Sequence, residues 1–350
     1  MGGARPSTVA EVLDEVLATT PDRPAVVAPD RTLTYAELDR EADRAAAALR
    51  ALGLTPGERL GVSLPNDSRI VVLFHGAMRA GAVWVGLNRA LTADEQAAVL
   101  DDCGARLTIG CAVGTSLDDE QWAAALAAAV PEKAGVRIDP HAPAAIAYTS
   151  GTTGRSKGVV HSQHNLLVPG AVLVRERGYD AGLRKADCLP LTILNLQVLS
   201  TLLVAQAGGT AVISDLRHAS TVAPWLRDTG ATVWNGVPPM LYDMAHDPDI
   251  AAADLAGLVE VWSGGDNLSE GIRAAFTGKF APPLCGTYGL TEAPTIVAIE
   301  PRDRPHRPGC SGTVLPHLRL DVLTPDDSPV PDGELGELCL SAAHDGPYAD

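Results

Sequence analysis

Lysine is scarce in this chain of 350 residues: only Lys133, Lys157, Lys185 and Lys279 occur, against 23 arginines. Basic residues together are outnumbered by acidic ones, 27 to 43, for a formal net charge of −16. That shortfall argues against a non-specific nucleic-acid binder, because a phosphate backbone needs a basic face. A negative balance of this size mainly favours solubility. Cysteine offers no framework either. Cys103, Cys111, Cys188, Cys285, Cys310 and Cys339 form no CxxC pair and no metal spacing. No basic stretch followed by an apolar run opens the chain, so reduced thiols and a cytoplasmic location are expected. The opening MGGARPS fits only the loose myristoylation pattern. A membrane span is missing as well. Residues 189–214 carry no charge, but Pro190, Thr192, Asn195, Gln197, Ser200, Thr201, Gln206, Gly208 and Gly209 interrupt them. A span needs about 20 predominantly apolar residues. The segment reads instead as a buried helix followed by a buried strand at 210–214.

What is present supports a large folded unit. Apolar residues make up 46% and charged residues 20%, which gives ample core and excludes extended disorder. The length suits two or three lobes or one large α/β unit. Thr8-x-x-Glu11, Thr34-x-x-Glu37 and Thr92-x-x-Glu95 are capping boxes ahead of helical spacing. Strand signals at 59–64, 82–87 and 107–111 fall between helices, a rhythm that implies a mostly parallel sheet covered on both faces. Residues 112–143 are Ala-rich and read as a connector. The rhythm resumes with a strand at 144–149, a Gly-rich loop at 150–158, a helix from about 162, and strands at 210–214, 232–235 and 259–263. After Pro301, proline and glycine rise and short alternating strands at 318–323 and 337–341 predict a small antiparallel β-lobe. The expected organisation is a first α/β lobe over 1–140, a second over 141–300 with the ligand loops, and the β-lobe over 301–350.

The sharpest chemical signal is YTSGTTGRSKG at 148–158. Four hydroxyls (Thr149, Ser150, Thr152, Thr153), three glycines and one of the four lysines follow a buried strand. Glycine lets successive N–H groups aim at one point, hydroxyls add donors, and Lys157 adds a mobile positive charge. That composition suits a polyphosphate cradle, with a plain flexible turn as the alternative. It is not a Walker A loop, since G-x-x-x-x-G-K-[ST] is absent. A second signal is CGTYGLTEA at 285–293. Tyr288 offers a ring face for a purine, Thr291 a hydroxyl for a phosphate oxygen, and Glu292 a hard carboxylate suited to Mg²⁺. By itself this stretch could equally be a helix start with a solvated Glu. A third, SGGDNL at 263–268, is a strand ending in two glycines, or an ordinary turn.

Taken in order, the three resemble the signature of the adenylate-forming superfamily of acyl-CoA synthetases, amino-acid-activating adenylation domains and beetle luciferases. Echoes at LTYAEL (33–38), LPN (64–66), RAGAVWVGLN (79–88), GVPPML (236–241) and GELGELCLS (333–341) spread the resemblance over nearly the whole chain. It implies that Thr149, Ser150, Gly151, Thr152, Thr153, Gly154 and Lys157 hold ATP phosphates. It places Gly264, Gly265 and Asp266 at the adenine. Gly286, Thr287, Tyr288 and Gly289 would complete the nucleotide site, with Tyr288 stacking, Thr291 at the α-phosphate and Glu292 on Mg²⁺. Lys157, Thr291 and Glu292 are the implied catalytic residues, and coenzyme A the implied acceptor, with a carrier protein as the alternative. A domain that holds an adenylate without turning it over is a third reading.

The chain departs from the family pattern in three places. The Thr-Gly-Asp motif and the mobile C-terminal domain that carries a catalytic lysine lie outside 1–350, so the chain resembles the large N-terminal domain alone, with its partner domain in cis or in trans. LPLTILNLQ at 189–197 has Thr192 and Ile193 where acyl-CoA synthetases commonly carry an aromatic–His pair. Ser156 replaces the usual proline before Lys157. Because 189–197 carries no charge, an ammonium group would find no partner there, and a hydrophobic carboxylic acid is the expected substrate. His161 and His164 read as loop-adjacent polar residues and His75 as core or edge.

Overall fold

Continuous apolar strands need cover on both faces, and the helices between them supply it. The computed structural model describes residues 6–113, 116–133, 135–149 and 156–343. Nine strands form the larger sheet, in the order Thr313–Val314, Thr295–Ile299, Leu284–Leu290, Glu260–Ser263, Val233–Asn235, Arg184–Asp187, Thr210–Ile213, Pro24–Val27 and Thr32–Thr34. Its six central strands run parallel, and antiparallel pairs close both edges. A five-stranded sheet has the order Ala105–Ile109, Arg59–Val62, Val83–Gly86, Pro143–Thr149 and Lys157–Ser162, antiparallel only at its last pair. Leu318–Leu323 and Glu337–Ala342 make the expected antiparallel β-lobe. The mixed α/β class with mostly parallel sheets is therefore as read from the sequence.

The sheets do not divide at residue 140. The Pro143–Thr149 and Lys157–Ser162 strands complete the five-stranded sheet, while Pro24–Val27 and Thr32–Thr34 extend the nine-stranded one. Three local readings change as well. The 112–143 connector holds a helix at Asp119–Ala128, started by Asp118, whose carboxylate accepts the Gln121 N–H. The Gly-rich loop leads into a strand, Lys157–Ser162, before the helix Gln163–Arg177 begins. The 285–293 stretch is a strand and turn rather than a helix start. The uncharged segment is helical over 194–207, with a π-helical stretch at Val198–Leu202. His75 is a core residue, 2% exposed, and burial lowers its pKa to about 3, so it is neutral. Among the described residues no helix is long and apolar enough to cross a membrane.

Candidate active site

Parallel pairing of Glu260–Ser263 with Leu284–Leu290 sets Ser263 opposite Gly286, so the second and third motifs leave the same edge of the sheet side by side. Thr287 Oγ1 donates to Ser263 O at 3.2 Å. The contact is so close that a Cβ on Gly264 would lie 2.0 Å from Thr287 Oγ1, which only glycine avoids. Gly265 follows at φ +82°, and it and Asp266 are exposed at the mouth of the turn. Tyr288 and Thr291 are half-buried, and Glu292 is exposed.

The turn that carries Thr291 and Glu292 joins two antiparallel strands, with a register shift at Tyr288/Gly289. Thr295, just past it, is held at φ +76° with its Oγ1 buried and unpartnered. A β-branched residue in the left-handed region costs of order 1–3 kcal/mol, and such strain collects where a turn must be held in one shape.

The phosphate-loop candidate caps the hairpin of the other sheet. Thr149 pairs with Lys157 and Tyr148 with Gly158. Ser150, Gly151, Thr152, Thr153 and Gly154 lie outside the described residues. Lys157 is exposed and no carboxylate among the described residues pairs with it. Tyr148 Oη donates to Asp102 Oδ2 at 2.6 Å, which anchors the strand leading into the loop. The next residues on the returning strand bridge the two motifs. His161, 1% exposed, takes a hydrogen bond from Asn165 Nδ2 at 3.1 Å; its Nε2 is buried with no hydrogen-bond partner among the described residues, with the Thr291 main chain nearby and the Glu292 charge acting on it from a distance. Burial outweighs those neighbours and lowers its pKa. Glu292 also lines a cleft of about 200 Å³ with Asn165, Pro294, His317 and Leu340. The structure thus ties Gly264 to Thr287 and sets buried His161, on the Lys157–Ser162 strand, near the Thr291 main chain. No described contact joins Lys157 itself to either.

Several supporting groups gave no signal in the sequence. Asn66 of the LPN stretch is buried; it donates to Leu189 O and Ser214 O and accepts the Leu191 N–H, pinning the start of the uncharged 189–197 segment. Asp187, fully buried, pairs with Lys185 at 3.2 Å and accepts from Ser200 Oγ at 2.7 Å. It therefore has no free oxygen for a substrate ammonium. Behind the motif strands, buried Glu260 accepts from Tyr179 Oη and forms an ion pair with Arg177 at 3.2 Å. Glu300 accepts from Gly286 N, Arg273 and His306. Such groups are far apart in sequence and obey no local spacing.

His306 bridges Glu300 and Glu270. Partial burial opposes its charged form, but hydrogen bonds to the two carboxylates outweigh it and raise the pKa above the ordinary 6.5. A raised pKa stabilises the fold fully below the unfolded value and loses that contribution as pH climbs through the folded value. The stability difference between wild type and His306→Gln should therefore shrink from about pH 6 to about pH 9 in urea titrations. A difference that grows with pH would contradict the bridge.

Comparison with known proteins agrees with this layout. The AMP-binding enzyme family matches residues 13–344. The fatty acid–[acyl-carrier-protein] ligase ScoC of Streptomyces coeruleorubidus is 32% identical over 92% of this chain and 66% of its own length. Feruloyl-CoA synthase of an Amycolatopsis species is 29% identical over 93% of this chain and 70% of its own. The inhibitor-bound N-terminal domain of FACL13 from Mycobacterium tuberculosis superposes with a TM-score of 0.87 at 25% identity, covering 96% of this chain and 89% of that one. The chain spans just under two thirds of the length of the ScoC ligase. By the extent of the family match and the placement of its motifs, the chain belongs to the AMP-binding enzyme family.

Proposed function

We propose that the chain is the large domain of an acid–thiol ligase that joins a hydrophobic carboxylic acid to AMP on the way to a thioester. The observation that carries the reading is the parallel pairing that sets the 263–268 and 285–293 motifs side by side, with Gly264 packed against Thr287. Family membership supports it. A carboxylate oxygen of the acid attacks the α-phosphorus of ATP, the bond to the β-phosphate breaks, and pyrophosphate leaves. The chain's work is placement and charge neutralisation. Lys157 and Thr149, with Ser150, Gly151, Thr152, Thr153 and Gly154, would hold the leaving phosphates. Gly264, Gly265 and Asp266 would edge the adenine, with Gly286, Thr287, Tyr288 and Gly289 alongside and Tyr288 stacked. Thr291 would donate to the α-phosphate.

The Glu292 carboxylate is exposed and makes no salt bridge among the described residues, which fits Mg²⁺, an ion that keeps waters and phosphate oxygens around one or two carboxylates. When bound it would neutralise phosphate charge. The acceptor is the thiol of coenzyme A in our first reading. The 32% identity to an acyl-carrier-protein ligase favours a carrier-protein thiol as the second. The uncharged 189–197 segment and the fully paired Asp187 support an acid without a free ammonium group.

Calorimetric titration with ATP, with and without Mg²⁺, tests the assignments. Lys157→Ala should weaken ATP binding by about 1.5–3 kcal/mol, the worth of a charge-assisted phosphate contact, and leave the fold intact. Glu292→Gln should bind ATP without responding to Mg²⁺. Unchanged ATP affinity in the first variant, or a wild-type Mg²⁺ response in the second, removes that residue from the site.

A further inference from the structure

We propose that the chain carries a second ligand site, a basic cleft that binds a small organic anion with a phosphate or carboxylate head on a short apolar body. The cleft encloses about 370 Å³ and is walled by Pro283, Leu284 and Cys285 at the start of the Leu284–Leu290 strand. The cleft adjoins Gly286 at the start of that strand, whereas Tyr288, Thr291 and Glu292 lie further along it and in the turn beyond, and none of these three lines the cleft.

Three arginines line the cleft, Arg273, Arg304 and Arg307, together with His306. In a chain with a net charge of −16 this is a local reversal of sign. Arg304 and Arg307 are exposed, and neither forms an ion pair among the described residues. The carboxylate that faces them, Glu300, is already committed to Gly286 N, Arg273 and His306. Arg273 is 8% exposed; it donates to Leu284 O at 2.6 Å and to Glu300 at 2.7 Å, and its Nε is buried with no partner. Arg304 and Arg307, with no ion-pair partner among the described residues, repel each other, and a planar anion that accepts two parallel N–H bonds relieves this. Thr313 adds a hydroxyl donor, while Pro283, Leu284, Pro301 and Pro305 give apolar walls. A volume in the few-hundred Å³ range, mostly apolar with a few converging polar groups, suits a small molecule. Inorganic anions would use only the arginines; the proline walls favour a ligand with a body.

The exposed thiol of Cys310 lines the same cleft and reports on it directly. Its alkylation by iodoacetamide is followed by peptide mass spectrometry on the whole chain, with phenyl phosphate and benzoate as probes. Both heads share the chemistry, and the two arms rank phosphate against carboxylate. A ligand with a Kd of about 1 mM slows the reaction about tenfold at about 10 mM. The expected result is that slowing at Cys310, with Cys103 and Cys339 unaffected. Protection should vanish in the Arg304→Gln/Arg307→Gln double variant, whose replaced side chains are exposed and leave the core untouched. It should persist in Lys157→Ala, which separates this site from the nucleotide site. No protection by either probe, protection that survives in the double arginine variant, or protection lost in Lys157→Ala overturns the proposal.

Discussion

Asp187→Ala should destabilise the fold by about 3–5 kcal/mol, the cost of leaving one member of a buried ion pair alone. Neither Lys185 nor Asp187 exposes any surface, and their closest approach is 3.2 Å. The substitution removes more than a charge. Ser200 Oγ and the Leu189 N–H both donate to Asp187, and both would be left unsatisfied inside the protein. What remains for the ammonium is a long hydrogen bond to Ala186 O at 3.5 Å and the Trp262 ring, 5.1 Å away. A cation over an aromatic face contributes about 0.5–2 kcal/mol, too little to replace a carboxylate. Replacing both partners, Lys185→Met with Asp187→Leu, should cost far less, because well-packed apolar groups substitute for a buried pair at little net change. Urea unfolding of the two variants decides the matter. If the single variant is no less stable than the double, the pair does not hold the fold. The function is coupled to this prediction through Leu189, the first residue of the segment read as the acid side of the site.

The sequence showed the outline of that site because the motif residues are local. A Gly-rich, hydroxyl-rich loop with a lysine after a strand reads from eleven consecutive residues, and the resemblance placed it among three ordered motifs. The fold class followed from alternating helix and strand signals, and the three capping boxes stand where expected. Thr8 and Glu11 close only a short 3-10 turn at Val9–Glu11, while Thr34 and Thr92 open full helices. The misreadings have separate physical causes. The Lys157–Ser162 strand is missed because Lys157 and Gly158 read as the end of the Gly-rich loop and only two valines stand before the helix expected from about 162. Its pairing with Pro143–Thr149 comes from a partner strand, a contact that single-residue propensity does not carry. Asp119–Ala128 was hidden in an Ala-rich stretch with one buried side chain, Trp122, and so without an apolar stripe to announce it. The ionic groups behind the motifs escaped for a third reason. Glu300 meets Gly286 and Arg273 only after two strands and a helix have packed.

The largest functional effect should come from restoring a C-terminal domain of the kind the resemblance implies. Residues 1–350 alone should bind a non-hydrolysable acyl-adenylate analogue more tightly than ATP and yet release pyrophosphate slowly. The turn at 264–266, Tyr288 and Thr291, with the pinned 189–197 segment at the proposed acid side, all lie within these residues, so most of the proposed adenylate contacts do too. The ribose-holding aspartate and the closing lysine of the resemblance lie outside the sequence. Without them, charge developing on the leaving pyrophosphate is met partly by water rather than by placed donors. Removing one such donor costs about 10²–10³ in rate, so supplying the domain in cis or in trans should raise pyrophosphate release by at least that factor. An uncovered site also admits water, which weakens the electrostatic contribution of Lys157. The deciding measurement is pyrophosphate release with a hydrophobic acid, on the chain alone and with the added domain. Full thioester formation from coenzyme A by the 350 residues alone would show that the closing lysine is dispensable here, and that Lys157, Thr291 and Glu292 suffice for both half-reactions.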